Sequence, residues 1–180
     1  STLGRNTSKM KLAAAVLLTS GGQPYIYQGE ELGYWGTKAN GDEYVRTPIM
    51  WNADGSSLAD AKLGTKVDKA MLTSAISVQS QSSSEDSMLA LYRRLGLLRK
   101  AYKALGEGDM TPCAVSNSSV GAWYRSCDGQ KLLVVHNFGG SPANLTLNDN
   151  MSKTVFSNGS VKVNGVTLSL GSYSSVVFQL

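Results

Sequence analysis

The stretch Ala122-Trp123-Tyr124-Arg125-Ser126-Cys127-Asp128-Gly129-Gln130-Lys131-Leu132-Leu133-Val134-Val135-His136-Asn137-Phe138 decides the fold class of the second half of the chain. Ala122 to Arg125 is a strand candidate, in a region where the pattern changes from period 3.6 to period 2. Asp128-Gly129 is a two-residue hairpin signal, because both positions tolerate positive φ. Leu132 to Phe138 is an apolar, β-branched run of strand length. Downstream, Ala143–Leu147, Lys153–Phe156, Val161–Leu168 and Ser175–Leu180 repeat short strand patterns between Gly, Asn and Ser. Short strands at such spacing predict an antiparallel β-sandwich.

Upstream the period is 3.6. Met10, Ala13, Val16 and Leu17 predict a helix over 8–18, with Ser8 as N-cap and Gly21-Gly22 as stop. Pro24-Tyr25-Ile26-Tyr27 predicts a short buried strand. Tyr34 to about Gly64 lacks periodicity, although Trp35, Tyr44 and Trp51 argue against simple disorder. Val67 to Ile76 predicts a helical turn or two. The polar run Gln79 to Ser84 leads into a helix over 85–103, with Ser83 and Asp86 as its start signal and Met88, Leu91, Tyr92, Leu95 and Leu98 on one stripe. The break near Gly106 sets two domains, 1–106 and 107–180.

The chain has 180 residues, 17 Lys+Arg against 13 Asp+Glu, and 17% charged residues. A complete (β/α)8 barrel needs roughly 250 residues. The basic residues form no stripe with interleaved aromatics, so nucleic-acid binding is not expected. No apolar run approaches the ~18 residues of a membrane-spanning helix. The opening Ser1-Thr2-Leu3 carries no leader pattern, as expected of a piece of a longer protein. His136 is the only histidine and no CxxC occurs, so no metal ligand set is expected. Cys113 and Cys127 leave open a disulfide across a hairpin or two unpaired thiols.

Four segments carry a family resemblance. Gly21-Gly22-Gln23-Pro24-Tyr25-Ile26-Tyr27-Gln28-Gly29-Glu30-Glu31-Leu32-Gly33 and Val45-Arg46-Thr47-Pro48-Ile49-Met50-Trp51 resemble two segments of the α-amylase family, glycoside hydrolase family 13. Ser87 to Arg99 is similar to its Tyr-Arg helix, and Lys131 to Phe138 to a strand of its C-terminal β domain. The wording is most similar to starch-degrading, cell-surface amylases of gut bacteria.

The resemblance implies a (β/α)8 barrel's last helix–strand–helix, followed by the sandwich. Helix 8–18 would be the seventh helix, 23–28 the eighth strand, loop 33–75 part of the active-site mouth, and 85–103 the closing helix. It implies a retaining glycosidase acting on α-1,4 bonds of starch or malto-oligosaccharides. α-1,6-Glucosidase, transglycosylase and a non-catalytic carbohydrate-binding module remain alternatives. A retaining enzyme needs two flanking carboxylates. The family's three catalytic acids match no position here, so none of these residues is expected to be catalytic, and the missing N-terminal barrel portion is the implied partner. The resemblance also implies a secreted or surface location. Calcium is possible in the parent, and Asp42, Glu43 and Asp54 are the local oxygen ligands to consider. No cofactor is expected here.

Arg46, Tyr34, Trp35 and Trp51 are the expected substrate contacts. Arg46 would donate to sugar hydroxyls or pair with Glu30 or Glu31; the aromatic rings would stack on sugar faces or fill the loop. Glu30-Glu31 is expected to be structural, since adjacent residues at a strand end point apart. Trp123 or Tyr124, whichever is exposed, would offer a granule-binding ring. The isolated chain is expected to aggregate or dimerise through its barrel half, while 107–180 would fold alone.

Overall fold

The computed structural model describes residues 2–58 and 71–180. It divides into two compact units, Ser1–Thr7 with Tyr25–Arg94, and Ser8–Pro24 with Leu95–Leu180.

The second unit contains the β-sandwich. Its strands are β1 Asp109–Pro112, β2 Val120–Cys127, β3 Gln130–Asn137, β4 Ala143–Thr146, β5 Lys153–Asn158, β6 Val161–Asn164, β7 Thr167–Leu170 and β8 Ser175–Gln179. All pairings are antiparallel. One sheet runs β1-β2-β3-β8-β5 and the other β4-β7-β6. Cys127 pairs with Gln130, and Asp128 and Gly129 both take positive φ (49° and 79°), which is the tight hairpin their sequence encodes. The expected strand 161–168 is instead a hairpin. Gly165, at φ 57°, reverses the chain and pairs Asn164 with Thr167.

Between the sheets, Ala122, Leu133, Val135 and Phe178 meet Leu145, Leu168 and Leu170 in one apolar core. The opposite face of the larger sheet is also buried, at Trp123, Arg125, Leu132, Val134 and His136. Both faces of β3 are therefore covered, which is why its sequence is continuously apolar rather than alternating.

That second face meets helix termini. Helix α1 spans Thr7–Thr19, opening one residue before the expected Ser8 cap. Trp123 Nε1 donates to the Thr19 carbonyl at 3.3 Å, and the indole lies 4.8 Å from the His136 ring. Arg99 donates to the carbonyls of Leu18, Ser20 and Gly22 at 3.1, 3.2 and 2.6 Å. Cys113 and Cys127 are free thiols.

In the first unit, α2 spans Val78–Ser82 and α3 begins at Met88; α3 runs to Ala101, so its end from Leu95 and α4, Lys103–Gly106, after a break at Tyr102, belong to the second unit. Gln79 to Ser82 are thus helical themselves, with Ser77 as N-cap accepting from Ser80 N at 3.1 Å. The expected start at Ser83 moves to Ser87, whose hydroxyl accepts from Ala90 N at 3.0 Å. Gln81 ties these pieces together: its side chain donates to Leu32 O at 2.8 Å and accepts from Leu89 N at 3.1 Å. Among its described residues, the loop from 34 to 58 forms short 3-10 turns, at Lys38–Asn40, Asp42–Val45 and Ser56–Leu58. Ser74–Ile76 is another such turn, and the earlier part of the expected 67–76 helical stretch lies outside the described residues.

The expected buried strand at Pro24–Tyr27 takes no place in a described sheet. Tyr25, Ile26 and Tyr27 are 84%, 49% and 54% exposed. β-Branched and aromatic composition favours an extended chain, but a ladder needs a neighbour.

Candidate functional site

The site lies in the first unit, on the segment after Tyr27. Gly29 sits at φ 91° and turns the chain. Glu30 and Glu31 hold this turn: Glu30 Oε2 accepts from Tyr27 N at 2.8 Å and Glu31 Oε2 from Gly29 N at 2.9 Å. Both carboxylates thus serve backbone amides, and neither is paired with Arg46. Arg46 donates instead to Asp42 Oδ2 at 2.9 Å, a half-exposed pair four residues apart that Lys38 joins at 3.7 Å. Such exposed pairs contribute little stability. Arg46 caps the C-terminal end of the Asp42–Val45 turn, and its side chain is exposed.

Tyr34 returns over the same turn. Its N–H donates to Gly29 O at 2.9 Å, and a Cβ at Gly29 would meet its ring at 2.6 Å. Glycine is therefore needed twice at 29, for the left-handed backbone and for the close ring. The Tyr34 hydroxyl donates to Pro48 O at 3.2 Å and accepts from Met50 N at 2.8 Å. Burial, partly offset by the Met50 hydrogen bond, holds its pKa above the ordinary tyrosine value. Tyr92 nearby is raised as well, first by burial and then by the charges of Glu30 and Glu31.

Trp51 follows, with its side chain outward and 59% of the residue exposed. Its backbone is fixed at both ends: N–H donates to Ser57 Oγ at 2.9 Å, and its carbonyl accepts from Gln79 N at 2.9 Å. Trp35 is half-buried. Its N–H meets Met71 Sδ at 3.1 Å, and the Arg5 guanidinium carbon lies 3.5 Å from its ring centroid, covering one face.

Of the four expected contacts, Trp51 and Arg46 are the exposed ones, Arg46 with its guanidinium paired to Asp42. Tyr34 has both hydrogen-bonding capacities occupied by the backbone, and Trp35 is stacked by Arg5. The supporting groups Ser57 and Gln79 sit in polar runs with no pattern to single them out, and Arg5 approaches from a position 30 residues away in sequence. Trp123 is buried, and Tyr124 is half-buried against the sandwich core with Lys131 Nζ 4.1 Å from its ring centroid, so neither is the open ring considered for granule binding. Asp54 accepts from Ser56 N at 2.9 Å, which with the Ser56 side chain lowers its pKa. Among the described residues no group of three or more His, Cys, Asp or Glu is arranged to hold a metal ion.

The profile of the α-amylase catalytic domain matches residues 1–108, and that of the SusG α-amylase C-terminal domain matches residues 120–177. The chain belongs to the α-amylase family. It is 47% identical to α-amylase SusG of Bacteroides thetaiotaomicron over its whole length, and covers 27% of that protein. It is 28% identical to α-amylase 3 of Dictyoglomus thermophilum over 98% of its length, covering 35% of that protein. Among solved structures, trehalulose synthase MutB of Pseudomonas mesoacidophila is 26% identical, with a TM-score of 0.77 over 96% of this chain and 38% of that one. The α-amylase family thus accounts for both parts of the fold: the end of a (β/α)8 barrel and the β-sandwich that follows it. The chain spans about a third or less of these amylase relatives, 27% and 35%.

Proposed function

We propose that this chain is the C-terminal part of a retaining α-glucan hydrolase that cleaves α-1,4 bonds of starch or malto-oligosaccharides, at the cell surface or after secretion. The observation that carries the reading is Trp51, an exposed indole on a backbone bonded at both its N–H and its carbonyl. A ring face of this kind suits the C–H face of a glucose unit, and its fixed backbone reduces the ordering cost of binding. Arg46 adds up to four further N–H donors for sugar hydroxyls, beside the one it gives to Asp42. The 47% identity to an α-amylase supports α-1,4-glucan over the other linkages of the family.

The bond-breaking step needs an acid/base carboxyl and a nucleophilic carboxylate on opposite sides of one glycosidic bond. Glu30 and Glu31 are committed to Tyr27 and Gly29 amides. In this reading the two acids come from other strands of the barrel, and the segment Arg46–Trp51 forms one wall of the cleft. Residues 1–106 would be its barrel part and 107–180 its sandwich domain.

The test is reducing-sugar release by the full-length enzyme on amylose, pullulan and isomaltose, with the 180-residue chain alone alongside. Release from amylose by the full-length enzyme and none by the chain is expected. Activity confined to isomaltose would replace this reading with an α-1,6-glucosidase, and activity of the chain alone would overturn the assignment of its carboxylates.

A further inference from the structure

We propose that Tyr34 is a positioning residue: through its hydroxyl it presets the 48–50 backbone and, with it, the orientation of the Trp51 indole. The inference rests on Trp51 being a glucan contact, and it assigns Tyr34 away from the sugar-stacking role that its sequence context suggests.

Three observations converge. First, the phenol is fixed before it reaches the loop. The Tyr34 amide is bonded to Gly29 O at 2.9 Å, and the ring lies over a glycine that leaves no room for a Cβ, 2.6 Å from the nearest ring carbon. Second, the hydroxyl bridges two backbone groups on either side of Ile49. It donates to Pro48 O at 3.2 Å and accepts from Met50 N at 2.8 Å. Pro48 has no N–H, and a loop strand without a ladder partner cannot satisfy Met50 N from a neighbouring strand. One phenol supplies both an acceptor and a donor that a sheet would otherwise supply. Third, the fixed stretch ends at the exposed indole. Met50 O accepts from Val78 N and Trp51 O from Gln79 N, each at 2.9 Å, so 50–51 is held by Tyr34 on one side and by the start of α2 on the other. Met50 itself is buried, which anchors the turn of side chains that sends Trp51 outward. A contact ring keeps its affinity only while the groups behind it hold its geometry.

Tyr34→Phe removes the hydroxyl and keeps the ring against Gly29. In the full-length enzyme it is expected to raise KM for maltoheptaose about three- to tenfold, the range of one backbone-fixing hydrogen bond, with kcat changed less. Trp51→Ala should raise KM at least as much, and the double variant should be no worse than Trp51→Ala alone, because Tyr34 acts only through Trp51. His136→Gln, a buried change in the other unit, is the control for general destabilisation and should leave KM unchanged. Amide exchange on the 180-residue chain gives a readout independent of substrate: the Met50 and Trp51 amides should exchange faster in Tyr34→Phe. KM effects of the two variants that multiply in full, or a Tyr34→Phe with unchanged KM beside a responsive Trp51→Ala, would overturn the inference. If Trp51→Ala leaves KM unchanged, the glucan-contact reading fails instead, and the positioning role then stands on faster exchange at Met50 and Trp51 or falls without it.

Discussion

Arg125 on β2 donates from Nη1 to the carbonyl of Thr19, the last residue of α1, at 2.9 Å. The same guanidinium donates to Ser20 O, and from Nη2 to Leu105 O and Gly108 O at 3.0 and 2.9 Å. It is 1% exposed. Burial, and next the positive charge of Arg99, pull its pKa below the ordinary arginine value. Its charge is met by carbonyls at the C-terminal ends of two helices, where a cation is favoured. Arg125→Met leaves these carbonyls without donors in a dry site and is expected to destabilise the second unit by about 3 kcal/mol. Arg125→Lys keeps the charge and loses the planar fork, so it should recover only part of that loss. Urea midpoints followed by β-sheet circular dichroism check both; a wild-type midpoint in Arg125→Met would show that the clamp carries no stability.

The same clamp decides what folds. The buried face of the larger sheet takes its partners from Thr19 at the end of α1, from Ser20 just after it and from Leu105 in α4, all outside 107–180. Excising 107–180 would expose Trp123 and His136 and strand the Arg125 charge. We expect that fragment to lack cooperative unfolding, whereas residues 107–180 co-expressed with residues 1–106 should show it. A sharp thermal transition for 107–180 alone would overturn this prediction and support the simple boundary near 106 expected from composition.

His136 gives the second unit an acid-sensitive point. Thr19 Oγ1 donates its one proton to Ala15 O at 2.7 Å, so at 3.1 Å from His136 Nε2 it accepts. Nε2 therefore carries the hydrogen, and Nδ1 accepts from Ser175 Oγ at 2.8 Å. The ring is neutral, and burial pushes its pKa from 6.5 down to about 3. A folded pKa below the unfolded one means that the unfolded chain binds the extra proton. The contribution is complete above pH 6.5 and is lost as pH falls toward 3, at up to about 1.4 kcal/mol per pH unit. His136 is the only histidine. The slope of stability between pH 6.5 and 4.5 should therefore flatten in His136→Gln, measured by urea melts across that window. An equally steep slope in the variant would place the titrating group elsewhere.

The hairpin at Asp128-Gly129 and the apolar run of β3 could be read directly, because turn chemistry and burial on both faces are local properties of those residues. Glu30-Glu31 could be read as structural for the same reason, although its partners are the amides of Tyr27 and Gly29 rather than Arg46. What escaped reading depends on distant residues. Arg125 looks like an exposed alternate position of a strand until α1 brings its C-terminus to it. Tyr34 carries no local mark of the hydrogen bonds that its hydroxyl makes to Pro48 O and Met50 N. Arg5 has no local mark that would pair it with Trp35.

The extended stretch Tyr25–Tyr27 carries the last expectation. Its three large side chains are exposed, and it has no ladder partner among the described residues. Glu30 satisfies Tyr27 N, so the turn end is capped while Tyr25 and Ile26 keep an open β-like edge. An apolar extended edge is a template for pairing with another chain. The 180-residue chain should therefore associate in a concentration-dependent way, seen as a rising weight-average mass in sedimentation velocity. Ile26→Lys places a charge on that edge and should return the chain to monomer, with no loss of the sandwich's circular dichroism because the substitution lies outside the second unit. A wild-type chain that stays monomeric across the accessible concentrations, or an Ile26→Lys chain that associates as strongly, would show that this edge is not the site of self-association.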